Sequence, residues 1–321
     1  MTKITSSLFL AALLALCLHV ASAQAQLVRT CVSMAKGSDS NSASSCHCTT
    51  PCRTFATAHA NTLADGEITV LDPGDYGGLT ITKSISINND SGGEASITVP
   101  GGTTGIIVNA AAGAYVNLRG ITIQGVGFGT TTGLRFNTGL FLTMTNCVVR
   151  NHTGNGIELF PSSNSTLEVS NVVSADNGGR GIFLKPSGSG TVKAVFNRVE
   201  AYNNSNTGIQ VDGSGSTGSV AATATDSVSA GNGANGFLAF SNAGTAPTSL
   251  MVVRSTAANN SIGTGFVVSA GPTATMRLSQ STSTGNAQGL FANGGNILSA
   301  GDNVVEANGT DGAPTGPLTK K

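Results

Sequence analysis

The sequence predicts an all-β solenoid: a single-stranded parallel coil, three short strands per lap, with a cap helix at its N-terminal end. Three observations predict it. A glycine followed by a large apolar residue recurs at Gly105-Ile106, Gly133-Leu134, Gly156-Ile157, Gly181-Ile182, Gly208-Ile209, Gly236-Phe237, Gly265-Phe266 and Gly289-Leu290, at intervals of 23 to 29 residues. A period in that range marks a coil in which each lap is one repeat. Asn residues recur in phase with that signal, and every repeat alternates apolar and polar side chains with no run long enough for a crossover helix.

Residues 1–23 read as an export signal. Lys3 supplies the positive end, Leu8 to Val20 the apolar run, and Ala21-Ser22-Ala23 the cleavage site, with Ala23-Gln24-Ala25 as a second option. The run is shorter than the ~20 residues a membrane span needs. Leu16 before Cys17 does not suit a lipidation site, which wants a small residue there. The mature chain is therefore expected to be exported, periplasmic or extracellular, and not membrane-spanning. Export bears on the cysteines. Cys31, Cys46, Cys48 and Cys52 cluster before the repeats and are expected to form disulfides, in any of three pairings, because their spacing matches no common zinc finger. Cys147 is left over as a free thiol.

Residues 24–65 form the disulfide-stapled N-terminal segment and cap. Within it, Arg53 to Leu63 carries Phe55, Ala58, His59 and Leu63 at helical spacing after Pro51, which predicts an amphipathic helix closing the first lap. Glu67 to Val70, Leu79 to Thr82 and Ser84 to Ile87 open the coil, which runs from 66 to 309. In each repeat a strand such as Gly156-Ile157-Glu158-Leu159 precedes a polar loop and a second strand such as Leu167-Glu168-Val169, then a very short third strand. Ile106, Leu134, Ile157, Ile182, Ile209, Phe237, Phe266 and Leu290 are the expected core row. Corners are expected at Asn146, Asn171, Asn197, Asp226 and Asp302, and at His152, Asn177, Asn203, Asn232, Asn260, Asn286 and Asn308, because Asn tolerates left-handed backbone and stacked amides bond to one another. Residues 310–321, rich in Gly, Pro and Thr, form a C-terminal tail.

Composition narrows the function classes. The 321 residues hold 16 basic and 16 acidic side chains, only 10% charged in all, so the chain lacks the positive field that nucleic acid or an anionic bilayer selects.

The Gly-Ile repeats, phased Asn corners, cap helix and Asp72-Pro73-Gly74-Asp75-Tyr76 turn together resemble right-handed parallel β-helix proteins of the pectate-lyase-like (pectin lyase fold) superfamily. The likeness runs from about Cys31 to Asn308, and more narrowly is to an exported bacterial subgroup of unassigned activity. The resemblance implies a right-handed coil and a polysaccharide connection, since members include lyases, hydrolases, uronate epimerases and adhesin modules; fold alone does not fix the chemistry. Their catalytic motifs are incomplete here. Asn88-Asn89-Asp90 matches one polygalacturonase-like pattern without the Asp-Asp, Gly-His-Gly or Arg-x-Lys that accompany it. Asp72-Pro73-Gly74-Asp75 lacks the His of the epimerase-like Asp-Pro-His-Asp and reads as a turn. No paired carboxylates for glycosidic acid–base work emerge, and no calcium cluster.

What remains is an outward stripe on the Gly-apolar sheet. Alternation turns out Arg135, Glu158, Phe183 and Gln210 in successive laps, and beside them Asn137, Phe160, Lys185, Asp212 and Phe240. Polar groups interleaved with aromatic faces suit a sugar chain; read simply as sheet surface, Arg135–Glu158 and Lys185–Asp212 are cross-lap ion pairs. The expectation is a non-catalytic exported polysaccharide-binding or cell-envelope protein with no cofactor, no metal and no catalytic residue. The alternatives are a polysaccharide lyase, hydrolase or epimerase built on Lys185 and Asp212 or on Asp72 and Asp75, and a structural or adhesive rod. Oligomeric state is not legible.

Overall fold

Three parallel sheets run along the coil in a computed structural model that describes residues 26–41, 44–269, 271 and 273–319. The expected export signal lies outside the described residues. Sheet A has 12 strands, from Leu27–Val32 to Gly316–Pro317; sheet B has 10, from Gly74–Asp75 to Val304–Val305; sheet C has 9, from Leu79–Ile81 to Gln288–Asn293. Each lap contributes one strand to each sheet and pairs in parallel with the next lap. The fold is thus the expected all-β parallel solenoid. Among the described residues no helix is long and apolar enough to cross a membrane.

The expected core row is a register row. Ile106, Leu134, Ile157, Ile182, Ile209, Phe237, Phe266 and Leu290 are successive partners in sheet C and are all buried. Phe237 and Phe266 stack with centroids 5.4 Å apart. Aliphatic and aromatic side chains at the lap spacing fill the bore, each burial contributing about 1.5–3 kcal/mol.

The two periodic signals are parts of one packing unit. Asn177, Asn204, Asn232, Asn260, Asn286 and Asn308 form a ladder. Each Nδ2 from Asn177 to Asn286 donates to the next Oδ1 at 2.8–3.1 Å, and that Oδ1 also accepts the backbone N–H of the preceding member. The ladder ends on the Asp311 carboxylate, while at its head His152 donates its backbone N–H to Asn177. The repeated glycines make room for this ladder and for the neighbouring lap. A Cβ on Gly156, Gly181, Gly208, Gly236, Gly265 or Gly289 would stand 2.6–3.1 Å from the Nδ2 of the matching Asn, and closer still to a serine hydroxyl or a backbone carbonyl beside it.

Two corner expectations need correction. Asn146, Asn171 and Asp226 do adopt left-handed backbone (φ 50–55°), but the corner after Asn197 is Arg198 (φ 51°), and Asp302 instead accepts the Gln280 N–H. At the second corner the left-handed residue precedes the ladder: Asn151, Asp176, Asn203, Gly231, Asn259, Gly285 and Ala307. Asn203 is therefore a corner and its neighbour Asn204 the ladder rung. The physical reason is a division of labour. Left-handed backbone turns the chain, and the next side chain then points inward, where its amide must be satisfied.

The cap helix α1 (Phe55–Asn61) is shorter than expected. Thr54 caps it by accepting the Thr57 N–H, and Phe55, Ala58 and His59 face the core. Leu63 is exposed rather than packed, because a strand already begins at Thr62. Cys31 pairs with Cys48 and Cys46 with Cys52, with Cα atoms 4.8 and 5.2 Å apart. Asp72 ties this segment to the first lap by accepting from Ser33 Oγ, the N–H groups of Met34 and Ala35, and Tyr76 OH. Although burial opposes it, those bonds hold the Asp72 carboxyl below its ordinary value. At the far end the tail lies along the last lap, with Gly289 donating to Thr310 O and Thr315 to Ile297 O.

Candidate functional site

The outer face of sheet C is built by the residue after each core apolar. Register places Arg135, Glu158, Phe183, Gln210, Leu238, Val267 and Phe291 in one row, at the ~4.8 Å lap spacing. Asp212 pairs with Phe240 and Phe240 with Ser269 in the adjacent row.

These side chains interlock across laps. Arg135 pairs with Glu158 Oε2, and Asn155 Nδ2 donates to Glu158 Oε1 at 2.7 Å. Phe160 meets Phe183 edge to face at 5.2 Å. The Arg180 guanidinium lies 4.3 Å above the Phe183 ring, and its Nε donates to Gln210 Oε1. Gln210 Nε2 in turn donates to Asp212 Oδ2 at 3.2 Å, Ser214 N–H to Asp212 Oδ1 at 2.8 Å, and Lys185 Nζ stands 4.0 Å from Asp212. Burial pulls the Arg180 guanidinium below its ordinary value, against the Asp212 and Glu158 carboxylates, which favour its charge.

Lys185, Gln210, Asp212 and Phe240 of the expected stripe converge on one groove of about 700 Å³. Arg135, Glu158 and Phe160 do not line the groove but adjoin it through the Phe160–Phe183 contact and Arg180. Asn137 lies outside the groove and donates to Asn109 Oδ1 at 2.8 Å. The stripe is not open surface throughout: Glu158, Gln210 and Asp212 are only 4–5% exposed. Arg135, Lys185 and Arg180 fold over them, as neighbours one lap apart must when long cations meet short acids.

The sequence reading missed the far half of the groove. Its floor is Leu238, Val267 and Phe291, of which Phe291 is well exposed and Leu238 and Val267 are largely buried, with Ile262 79% exposed on the rim. Beside that apolar strip stand Asn235, Thr264 and Gln288 on one side and Ser269 with Asn242 on the other. Two signals point to it: alternation carries the outward row past Gln210, and the residue before each repeated glycine (Arg180, Asn235, Thr264, Gln288) lines the same edge.

The other sequence-level possibilities are structural. Asp72 is saturated as described. Asp75 Oδ1 accepts from the N–H groups of Gly77 and Thr98, so the Asp72–Asp75 segment is a bonded turn. Asp90 pairs with Arg119 on sheet A, and Asn89 ties Gly93 and Gly120 together. Cys147 is buried and unpaired, with its thiol pushed up to about 11 by burial. Among the described residues no three His, Cys, Asp or Glu side chains gather as metal ligands. A larger hollow, about 820 Å³, lies at the corner between sheets B and C, lined by Asn151, Thr153, Asp176 and Asn203. It has no aromatic floor, and its one carboxylate, Asp176, accepts from Asn203. The sheet C groove is the better candidate because it joins an apolar floor to convergent polar groups.

No protein-family model matches the chain, and a search of curated protein sequences finds no relative. Among solved structures the chain is similar to the A-module of the mannuronan C-5 epimerase AlgE4 of Azotobacter vinelandii, at 15% identity and a TM-score of 0.47 over 80% of this chain and 91% of that one. It is similar to the pectate lyase Pel9A at 14% identity and a TM-score of 0.47, over 94% and 85% of the two chains. It is also similar to the periplasmic alginate epimerase AlgG at 14% identity and a TM-score of 0.35, over 74% and 66%. At this level of likeness the site is read from this chain's own residues.

Proposed function

We propose that the protein is exported and binds a polysaccharide chain lengthwise in the sheet C groove, without turning it over. One observation carries the reading: the apolar strip Leu238–Val267–Phe291 is flanked along its length by amides and hydroxyls. A pyranose chain has the complementary pattern, with apolar ring faces and hydroxyls around the edges. Phe291 and Ile262, with the shallow tops of Leu238 and Val267 between the flanks, offer contact to the faces, and Asn235, Thr264, Gln288 and Ser269 offer hydrogen bonds to the edges. Lys185, Arg180 and Asp212 continue the groove as a charged end. Paired cysteines in the N-terminal segment support the exported setting.

The non-catalytic part of the reading rests on how the carboxylates are engaged. Glycosidic acid–base chemistry requires a carboxyl that can exchange a proton with the sugar. Both Glu158 oxygens are engaged by Arg135 and Asn155, and both Asp212 oxygens by Ser214, Gln210 and Lys185. The test is a glycan array with the mature chain, followed by calorimetry on retained polymers and assays for unsaturated products and reducing ends. Retention without products supports the proposal. Absence of retention across neutral, acidic and amino polysaccharides removes it, and product release replaces binding by catalysis.

A further inference from the structure

We propose that a slot on the outer face of sheet A binds a guanidinium group, the head of an arginine side chain. The slot lies on a different sheet from the glycan groove and stands independently of it. Tyr115 is 51% exposed there, and Phe141 in the next lap stacks against one side of it, centroids 4.8 Å apart and planes 11° from parallel. The other side of the ring faces Ser84, one lap earlier, whose hydroxyl accepts the Tyr115 N–H at 3.2 Å. A serine is too short to cover a phenol. One lap further back, Asp65 donates its N–H to Ser84 O at 2.8 Å. Asp65, Ser84, Ser86, Tyr115 and Asn117 together line a hollow of about 100 Å³.

The lap spacing sets the size of the guest. Tyr115 and Asp65 lie two laps apart, roughly 10 Å, with one lap between them that carries only a serine. The vacant place is one planar group thick, in line with a stack that Phe141 and Tyr115 have already begun. Its far wall is the Asp65 carboxylate, which has no side-chain partner among the described residues.

These features select among guests. A neutral ring would stack on Tyr115 but leave the Asp65 charge unused. An ammonium would answer the charge but not the flat ring. A guanidinium does both: it is planar, stacks on aromatic faces as a cation, and meets a carboxylate through a fork of N–H donors, with donors left for the Ser84 and Ser86 hydroxyls.

The test titrates the full mature chain with Nα-acetyl-arginine amide, followed by calorimetry and by the Tyr115 ring resonances, alongside the citrulline and lysine analogues. A peptide carrying a single arginine forms a second arm, to distinguish a polypeptide source from the free amino acid. Saturable binding is expected with the arginine probe, weakened about threefold to tenfold for citrulline, which keeps the shape and loses the charge. Asp65→Asn and Tyr115→Ala should each weaken it about threefold or more, and Ser84→Phe, which fills the slot, should abolish it. Lys193→Ala, elsewhere on the same sheet, should leave it unchanged. No saturable binding, equal binding of citrulline, or indifference to Asp65→Asn in a variant that melts like the wild type overturns the proposal. Asp65 is exposed, so that variant keeps the test valid even if Tyr115→Ala fails to fold.

Discussion

Asn232 and Gly208 fit one another: a Cβ on Gly208 would stand 2.7 Å from Asn232 Nδ2. That amide donates to Asn260 Oδ1, Ser229 Oγ and Ala201 O, and its Oδ1 accepts from both the backbone and side chain of Asn204. Gly208→Ala is expected to lose about 1–3 kcal/mol by overpacking, since its Cβ would also stand 1.9 Å from Ser229 Oγ, the hydroxyl that accepts from Asn232. Asn232→Ala is expected to lose at least as much, since each buried partner it orphans costs about 1–3 kcal/mol. Chemical denaturation of both variants and the double mutant measures this. Because the residues touch, the double mutant should fall short of the sum; strict additivity would show that the two do not act as one unit.

His152 stands at the head of the ladder where later laps carry Asn. Its Nε2 meets Ile123 O at 3.3 Å, while its Nδ1 is buried without a partner among the described residues. His152→Asn, which supplies an amide oxygen in that position, should raise stability by about 1 kcal/mol, the usual net worth of a buried hydrogen bond. A variant less stable than the wild type would show that the ring's volume matters more than its missing bond.

The same residue gives the chain an acid-sensitive element. Burial pulls His152 down to about 4, and His59 likewise, with Lys83 adding to the effect there. Between the ordinary value of 6.5 and about 4 the unfolded chain binds protons that the folded chain refuses. The histidine share of stability should therefore be flat above pH 6.5, fall as pH drops toward 4 and level off below, where protonation of Asp72, held below its ordinary value, continues the loss. For His152 the loss approaches roughly 3 kcal/mol. His152→Asn should reduce the slope and leave the His59 share. An unchanged profile in that variant would locate the sensitivity elsewhere.

Ile182 has core neighbours Ile157 and Ile209 in the adjoining laps and is fully buried. Ile182→Asp sets a carboxylate in the apolar bore between Ile157 and Ile209. Thermal unfolding followed by circular dichroism should lose its single cooperative transition, because each lap is held mainly by its neighbours.

How much of this was legible follows from what each signal encodes. Period-two alternation fixes which side chains face the bore, so all eight core residues and all the stripe rows could be placed on their faces. Phased Asn fixed the corners only to within one residue. At Asn203-Asn204 two identical side chains take opposite roles, and at Asn197-Arg198 the left-handed residue is the arginine; composition does not distinguish them. Burial of Glu158 and Asp212 was not legible either, since it depends on cations from neighbouring laps folding over them. Arg180 was visible in the sequence, directly before Gly181, but only the register brings it to Gln210.

The groove yields the last prediction. Phe291 is 42% exposed at the end of the apolar strip, so its ring is available to a ligand and adds little to the core. Phe291→Ala should weaken glycan retention about threefold to tenfold, the weight of one aromatic contact of about 0.5–1.5 kcal/mol, while the melting temperature barely moves. Arg180→Gln tests the charged end. It removes the guanidinium above Phe183 and should weaken acidic glycans more than neutral ones, without weakening amino polysaccharides in the same way. If Phe291→Ala retains glycan fully while Leu238→Asp, deeper in the same floor, also does, the ligand does not lie on this strip, and the polar flanks lose their assigned role with it.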